Sequence, residues 1–140
     1  MELEHCVQDA QSDDGTLDWL PQREGIILRV EQDEGMYDAI NRGFKRTDGE
    51  ICAYLNCDEQ YLVGALELVR NWFAEHPDMD ICFGHTIGIK TSGEFVCYRK
   101  AILPRQWHTL SSHLTTLSAS MFFRRRLLDS GFCFDESFRA

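Results

Sequence analysis

A chain of 140 residues is long enough for one domain built on one core. Its composition, 44% apolar and 26% charged, excludes a disordered chain, and no apolar run approaches the roughly 18 residues a membrane span needs. The net charge of −9 is divided unevenly, with 6 Lys and Arg against 19 Asp and Glu in residues 1–89 and 8 against 4 in residues 90–140; no basic stripe with interleaved aromatics accompanies it, which argues against nucleic acid as a partner. The acidic start Met1-Glu2-Leu3-Glu4-His5 lacks the basic region of a signal peptide, so a cytoplasmic protein is expected. Six cysteines without a Cys-x-x-Cys pair read as reduced core residues. The acidic first part suits a metal-assisted ligand site; the basic end could face an anionic substrate or a membrane surface, or be an ordinary solvated face.

In chain order, Glu4 to Gln8 is a strand candidate running into the polar turn Asp9-Ala10-Gln11-Ser12-Asp13-Asp14-Gly15-Thr16. Asp13, Asp14 or Thr16 could cap the brief helix that begins near Leu17 and stops before Pro21. Ile26-Ile27-Leu28-Arg29-Val30 is a second strand, apolar enough to be covered on both faces. After Glu31-Gln32-Asp33-Glu34-Gly35 comes a helix with Met36, Ile40 and Phe44 on one stripe. Ala39 and Gly43 beside that stripe would allow a close approach by a strand or a ligand. Asn41, a poor helix former in mid-helix, invites a functional reason.

Ile51, Ala53 and Leu55 mark a buried strand that stops at two adjacent carboxylates, Asp58 and Glu59. In an open α/β sheet, ligands bind beyond the carboxyl ends of strands, and two acids there can hold a divalent cation through hard oxygen ligands. A solvated acidic turn is the plainer reading of the same pair. A helix follows from Val63 to His76, with Leu66, Val69, Trp72 and Phe73 on one face, then a strand at Asp80 to Gly84. Thr91-Ser92-Gly93 joins Thr86 to Lys90 with Glu94 to Arg99 as an antiparallel hairpin. Ala101 to Leu117, containing Pro104, Trp107, His108 and His113, reads as an ordered loop with a helical turn. Ala119 to Phe123 is a strand, Arg124 to Asp129 a short helix, and Gly131 its stop.

The order of these motifs resembles the family 2 glycosyltransferases of the GT-A fold. Asp9 to Thr16 resembles the family's Asp-Gly-Gly-Ser-Thr-Asp-Gly-Thr turn. Asp33-Glu34-Gly35-Met36-Tyr37-Asp38-Ala39-Ile40-Asn41-Arg42-Gly43 is similar to Asp-x-Gly-Ile-Tyr-Asp-Ala-Met-Asn-Lys-Gly, and Leu55-Asn56-Cys57-Asp58-Glu59 to Leu-Asn-Ser-Asp-Asp, the family's DXD motif. Phe122-Phe123-Arg124-Arg125, Gly131 and Phe134-Asp135-Glu136-Ser137-Phe138 look like the stretch leading to its acceptor side.

The resemblance implies an α/β fold of the GT-A (Rossmann-like) type, a mixed, mainly parallel sheet with flanking helices. It implies one partial domain over 1–140, with residues 1–89 as the nucleotide-sugar donor half and 90–140 as the start of the acceptor half. The implied reaction is metal-assisted, inverting transfer from a nucleotide-diphosphate sugar, uridine favoured, to a glycan or lipid-linked acceptor in polysaccharide biosynthesis. By the same resemblance Asp9 contacts the nucleobase, Asp58 the ribose, and Glu59, with Asp58, a manganese or magnesium ion on the diphosphate; Asp33 and Asn41 join the nucleotide-sugar-binding set. Two departures stand out. Glu59 replaces an Asp at the metal position. The family's first strand and its catalytic base have no counterpart here, so the chain is expected to be a central portion, inactive alone, that associates through unpaired strands or contacts the inner face of the cell membrane peripherally. A non-catalytic nucleotide-binding or regulatory module is the alternative.

Overall fold

The computed structural model describes residues 2–102 and 116–138. The elements in chain order are β1 (His5–Asp9), α1 (Thr16–Trp19), a 3-10 turn Leu20–Gln22, β2 (Ile26–Val30), α2 (Met36–Phe44), β3 (Ile51–Cys52) and α3 (Ala65–Glu75). They continue with β4 (Ile81–Phe83), β5 (Thr86–Ile89), β6 (Phe95–Arg99), a 3-10 turn Ser118–Ser120, β7 (Met121–Arg124) and a last helical turn, Arg126–Asp129. The chain divides into two compact units, one of Met1–Cys52 with Arg125–Ala140, the other of Ala53–Arg124.

In the first unit β1 and β2 pair in parallel, from His5 opposite Ile26 to Asp9 opposite Val30. The bond from the Glu31 N–H to the Asp9 carbonyl at 3.0 Å closes the ladder. Both strands therefore end at one edge, where the following loops begin. The expectation that β2 is covered on both faces is not met: Ile26, Ile27 and Leu28 are half-buried while Arg29 and Val30 are exposed. Among the described residues this sheet has two strands, so β2 gains less cover than a central parallel strand would.

α2 forms where predicted, but it buries a different face. Asp38, Asn41 and Phe44 are buried, whereas Met36 is 41% exposed. Polar side chains lie inward because each finds partners there, which is the condition for burying them. No strand approaches Gly43 closely, since among the described residues a Cβ added there would meet nothing within 4 Å.

The second unit packs α3 through Val69 and Phe73, next to a β4–β7 pair that runs antiparallel, with Ile81 opposite Phe123 and Phe83 opposite Met121. Phe73, Phe122 and Phe123 are its best-buried aromatics. α3 starts at Ala65 rather than Val63, which stands fully exposed ahead of it. Arg124 closes this unit: its guanidinium donates to the carbonyls of Phe73 at 2.7 Å and Met79 at 3.0 Å and lies 5.0 Å over the Phe73 ring. A cation at the last carbonyls of α3 also opposes the negative end of the helix dipole.

The β5–β6 hairpin forms as predicted, with an irregular register between Gly88 and Ile89. Gly88 makes room there for Cys97, whose Sγ would lie 2.9 Å from a Cβ added at that position. The expected strand through Leu55 is shorter than predicted: β3 covers Ile51–Cys52, Cys52 is the buried residue, and Leu55 is 37% exposed. Two residues make few ladder bonds, and the chain beyond them turns at once. The loop expected around Pro104, Trp107, His108 and His113 lies outside the described residues.

Candidate functional site

Each predicted site residue has a definite place. Asp9 is the last residue of β1 and is buried; its Oδ1 accepts the Ser12 N–H at 2.8 Å, folding the polar turn back over the strand end. Asp14, in the same turn, accepts the Thr16 N–H at 3.0 Å, and hydrogen bonding to the Thr16 hydroxyl first, then to that N–H, pulls its carboxyl below the usual range. Asp33 is half-buried in the loop after β2 and accepts the Gly35 N–H at 3.0 Å. Gly35 sits at φ +125°, a backbone that disfavours a side chain, so the glycine lets the loop enter α2. Because β1 and β2 are parallel and in register to Asp9 and Val30, the Asp9 turn and the Asp33 loop leave the same sheet edge.

Two arginines that the sequence reading passed over brace this edge. Arg42 pairs with Asp38 at 2.7 Å and donates to Glu31 at 3.3 Å and to the Gln32 carbonyl at 3.0 Å. Arg46 pairs with Glu31 at 2.6 Å and donates to Gln8 as well. The bond from Arg46 chiefly, and then that from Arg42, holds the Glu31 carboxyl below its ordinary range. The Glu34 N–H, and next Arg42, does the same for Asp38. The i, i+4 spacing of Asp38 and Arg42 was the available signal for that pair; the Arg46–Glu31 pair, 15 residues apart, had none.

Asn41 has a structural reason for its place in mid-helix. Its amide donates to the Phe134 carbonyl at 2.8 Å and to Glu136 at 2.9 Å, and accepts the Phe134 N–H at 2.9 Å. The Phe134 ring stacks on Tyr37 at 5.8 Å and on Phe44 at 6.3 Å. One face of α2 thus positions the segment that carries Asp135 and Glu136. Arg125 donates to the carbonyls of Gly49 at 2.8 Å and Phe44 at 3.3 Å and to Thr47 Oγ1 at 3.1 Å. A cavity of 240 Å³ lies between α2 and Arg126–Asp129, with Lys45, Asp129 and Phe132 in its wall.

The acid pair belongs to the second unit. Asp58 is exposed. Glu59 is half-buried and closes its own turn, accepting the Asn56 N–H at 2.9 Å while its own N–H donates to the Asn56 carbonyl at 3.1 Å. Two residues on, the Tyr61 ring packs against Phe122 with centroids 5.2 Å apart. Burial first, and the Glu59 charge second, push its phenol up to about 12.

The resemblance implies a divalent cation, and the side chains fit one that is shared with phosphate rather than caged by protein. Among the described residues no group of three or more His, Cys, Asp and Glu could hold a metal ion. Magnesium-type sites commonly use one or two carboxylates and complete their shell with phosphate oxygens and water, which suits an exposed Asp beside a Glu with one oxygen engaged. The cysteines are all free, but only Cys52 is buried, and Cys57 and Cys133 are exposed, so the core reading holds for few of them. Among the described residues no helix is long and apolar enough to cross a membrane.

The sequence profile of the family described as Glycosyl transferase family 2 matches residues 1–132. The PGL/p-HBAD biosynthesis glycosyltransferases of Mycobacterium bovis (strain BCG / Pasteur 1173P2) and Mycobacterium tuberculosis (strain ATCC 25177 / H37Ra) are each 32% identical over 92 residues, 61% of this chain and 36% of theirs. The chain thus spans about a third of the length of these relatives. The crystal structure of S. aureus TarS 1-349 superposes with a TM-score of 0.66 at 22% identity, over 96% of this chain and 42% of that one. The fold is α/β of the GT-A type.

Proposed function

The chain belongs to glycosyl transferase family 2, and from that premise we propose that it forms the nucleotide-sugar donor part of a transferase that moves a sugar to an acceptor hydroxyl. Residues 1–89 make the donor half and residues 90–140 begin the acceptor half. The observation that carries this reading is the shared edge of the parallel β1–β2 pair, from which the Asp9 turn and the Asp33 loop both leave. That is where open α/β sheets bind ligands.

Asp9 accepts the N3–H of a uracil, for which a carboxylate is the natural acceptor. Asp33 lines the donor beside it. Asp58 accepts from the ribose hydroxyls, and Glu59, together with Asp58, holds a manganese or magnesium ion. Such a cation, when bound, neutralises charge on the diphosphate leaving group. Asn41 serves the site through the Phe134–Glu136 segment, on which its amide is spent. The acceptor hydroxyl displaces the diphosphate directly, with inversion, as a carboxylate base takes its proton. The acceptor is a glycan or a lipid-linked sugar, which suits work at the inner face of a membrane.

Calorimetric titration of the full chain with uridine diphosphate and guanosine diphosphate, each with and without manganese, tests the reading. Saturable heat with uridine diphosphate, strengthened by manganese, is expected. No heat with either nucleotide contradicts it.

A further inference from the structure

One polar atom of the second unit has nowhere to go. The Tyr61 hydroxyl is buried and has no hydrogen-bond partner among the described residues. Buried hydroxyls nearly always find partners, and an orphaned one costs stability until something supplies an acceptor. The ring is not hanging loosely. It packs against Phe122, which is buried in β7 opposite Cys82.

The loop that carries Tyr61 shows two further signs of an unfinished arrangement. Glu59, the cation-facing candidate, is turned onto the Asn56 N–H at 2.9 Å. Leu62 and Val63 stand 64% and 106% exposed. A segment that leaves apolar side chains in water and strands a hydroxyl has little local stability to lose by moving.

We propose that Tyr61 is a positioning residue of the donor site: when Glu59 leaves Asn56 to face a cation on a nucleotide diphosphate, the Tyr61 hydroxyl donates to the Glu59 carboxylate and holds it there. The inference rests on the donor-site reading of Asp58 and Glu59. Carboxylates that ligate metals are commonly oriented by an outer hydrogen bond, and losing such a bond weakens metal affinity roughly 10- to 100-fold. In the ligand-free loop the same hydroxyl contributes nothing, so its removal there is neutral or stabilising.

The test compares the full chain with Tyr61→Phe by thermal melting without ligand and by calorimetric titration with uridine diphosphate at graded manganese concentrations and without metal. Tyr61→Phe is expected to melt at the same or a higher temperature and to bind metal-free uridine diphosphate as the parent does. It should need about tenfold more manganese for the same affinity. An unchanged manganese requirement overturns the inference and leaves the donor-site reading standing. A lower ligand-free melting temperature also overturns it, since the hydroxyl would then already be satisfied. A parent chain that binds uridine diphosphate without any manganese effect overturns the cation reading and this inference with it.

Discussion

Asn41 holds Phe134 by both of its backbone groups, accepting the N–H at 2.9 Å and donating to the carbonyl at 2.8 Å, as a neighbouring strand would. The two residues are 93 positions apart in sequence. A helix side chain is therefore the edge on which the Phe134–Glu136 segment is hung.

Replacing Asn41 with Ala should leave both Phe134 groups without that partner and lower stability by about 3 kcal/mol, from three lost hydrogen bonds at a buried site. Asn41→Asp should do worse, because a carboxylate cannot donate to the Phe134 carbonyl and would face Glu136. Urea denaturation of the parent and the two variants gives the order. A stable Asn41→Asp chain would show that the clamp is unimportant.

Arg125 spreads one planar group over the carbonyls of Gly49 and Phe44 and the hydroxyl of Thr47. Lysine keeps the charge but cannot span three acceptors in that plane. Arg125→Lys should therefore cost about 2 kcal/mol in a thermal or chemical melt, and a loss near zero would mean that charge alone suffices.

Glu59→Gln separates the turn from the cation. The glutamine carbonyl can still accept the Asn56 N–H, so the melting behaviour should change by no more than about 0.5 kcal/mol. Uridine diphosphate should still bind, but manganese should no longer strengthen it. Retention of the full manganese effect would remove Glu59 from the cation.

Acid sensitivity should trace to the braced sheet edge. The Glu34 N–H, then Arg42, lowers Asp38 from 3.8, and Arg46, then Arg42, lowers Glu31 from 4.5. A carboxyl lowered on folding contributes stability that is present above its ordinary value and is lost as the pH falls through the lowered one. Melting temperature should therefore fall as the pH drops through and below these ordinary values, and Asp38→Asn should flatten that limb. An identical acid limb in the variant would place the sensitivity elsewhere.

How legible this was in the sequence follows from how local each signal is. Strand β2, helix α2 and the β5–β6 hairpin form where alternation, periodicity and turn residues placed them, because those signals act over a few positions. The buried face of α2 was misread, because Asp38 and Asn41 are buried by partners, and those of Asn41 lie 93 and 95 residues away. The strand through Leu55 was over-extended, since an apolar run cannot say where its ladder stops. The candidate acids were legible from motif resemblance. Arg42, Arg46 and Arg125 were not singled out for the site, because a basic residue in sequence does not disclose whether its charge is spent on carbonyls and carboxylates or faces a ligand.

The proposed donor site assigns the uracil to Asp9, the donor beside it to Asp33 and the cation to Asp58 and Glu59. A crystal structure of the chain with uridine diphosphate and manganese, with the metal located by its anomalous scattering, tests it most directly. The expected result is a manganese peak at the carboxylates of Asp58 and Glu59 on the diphosphate, with uracil against Asp9. Nucleotide bound away from the ends of β1 and β2, or a metal that touches neither acid of the pair, would contradict the account.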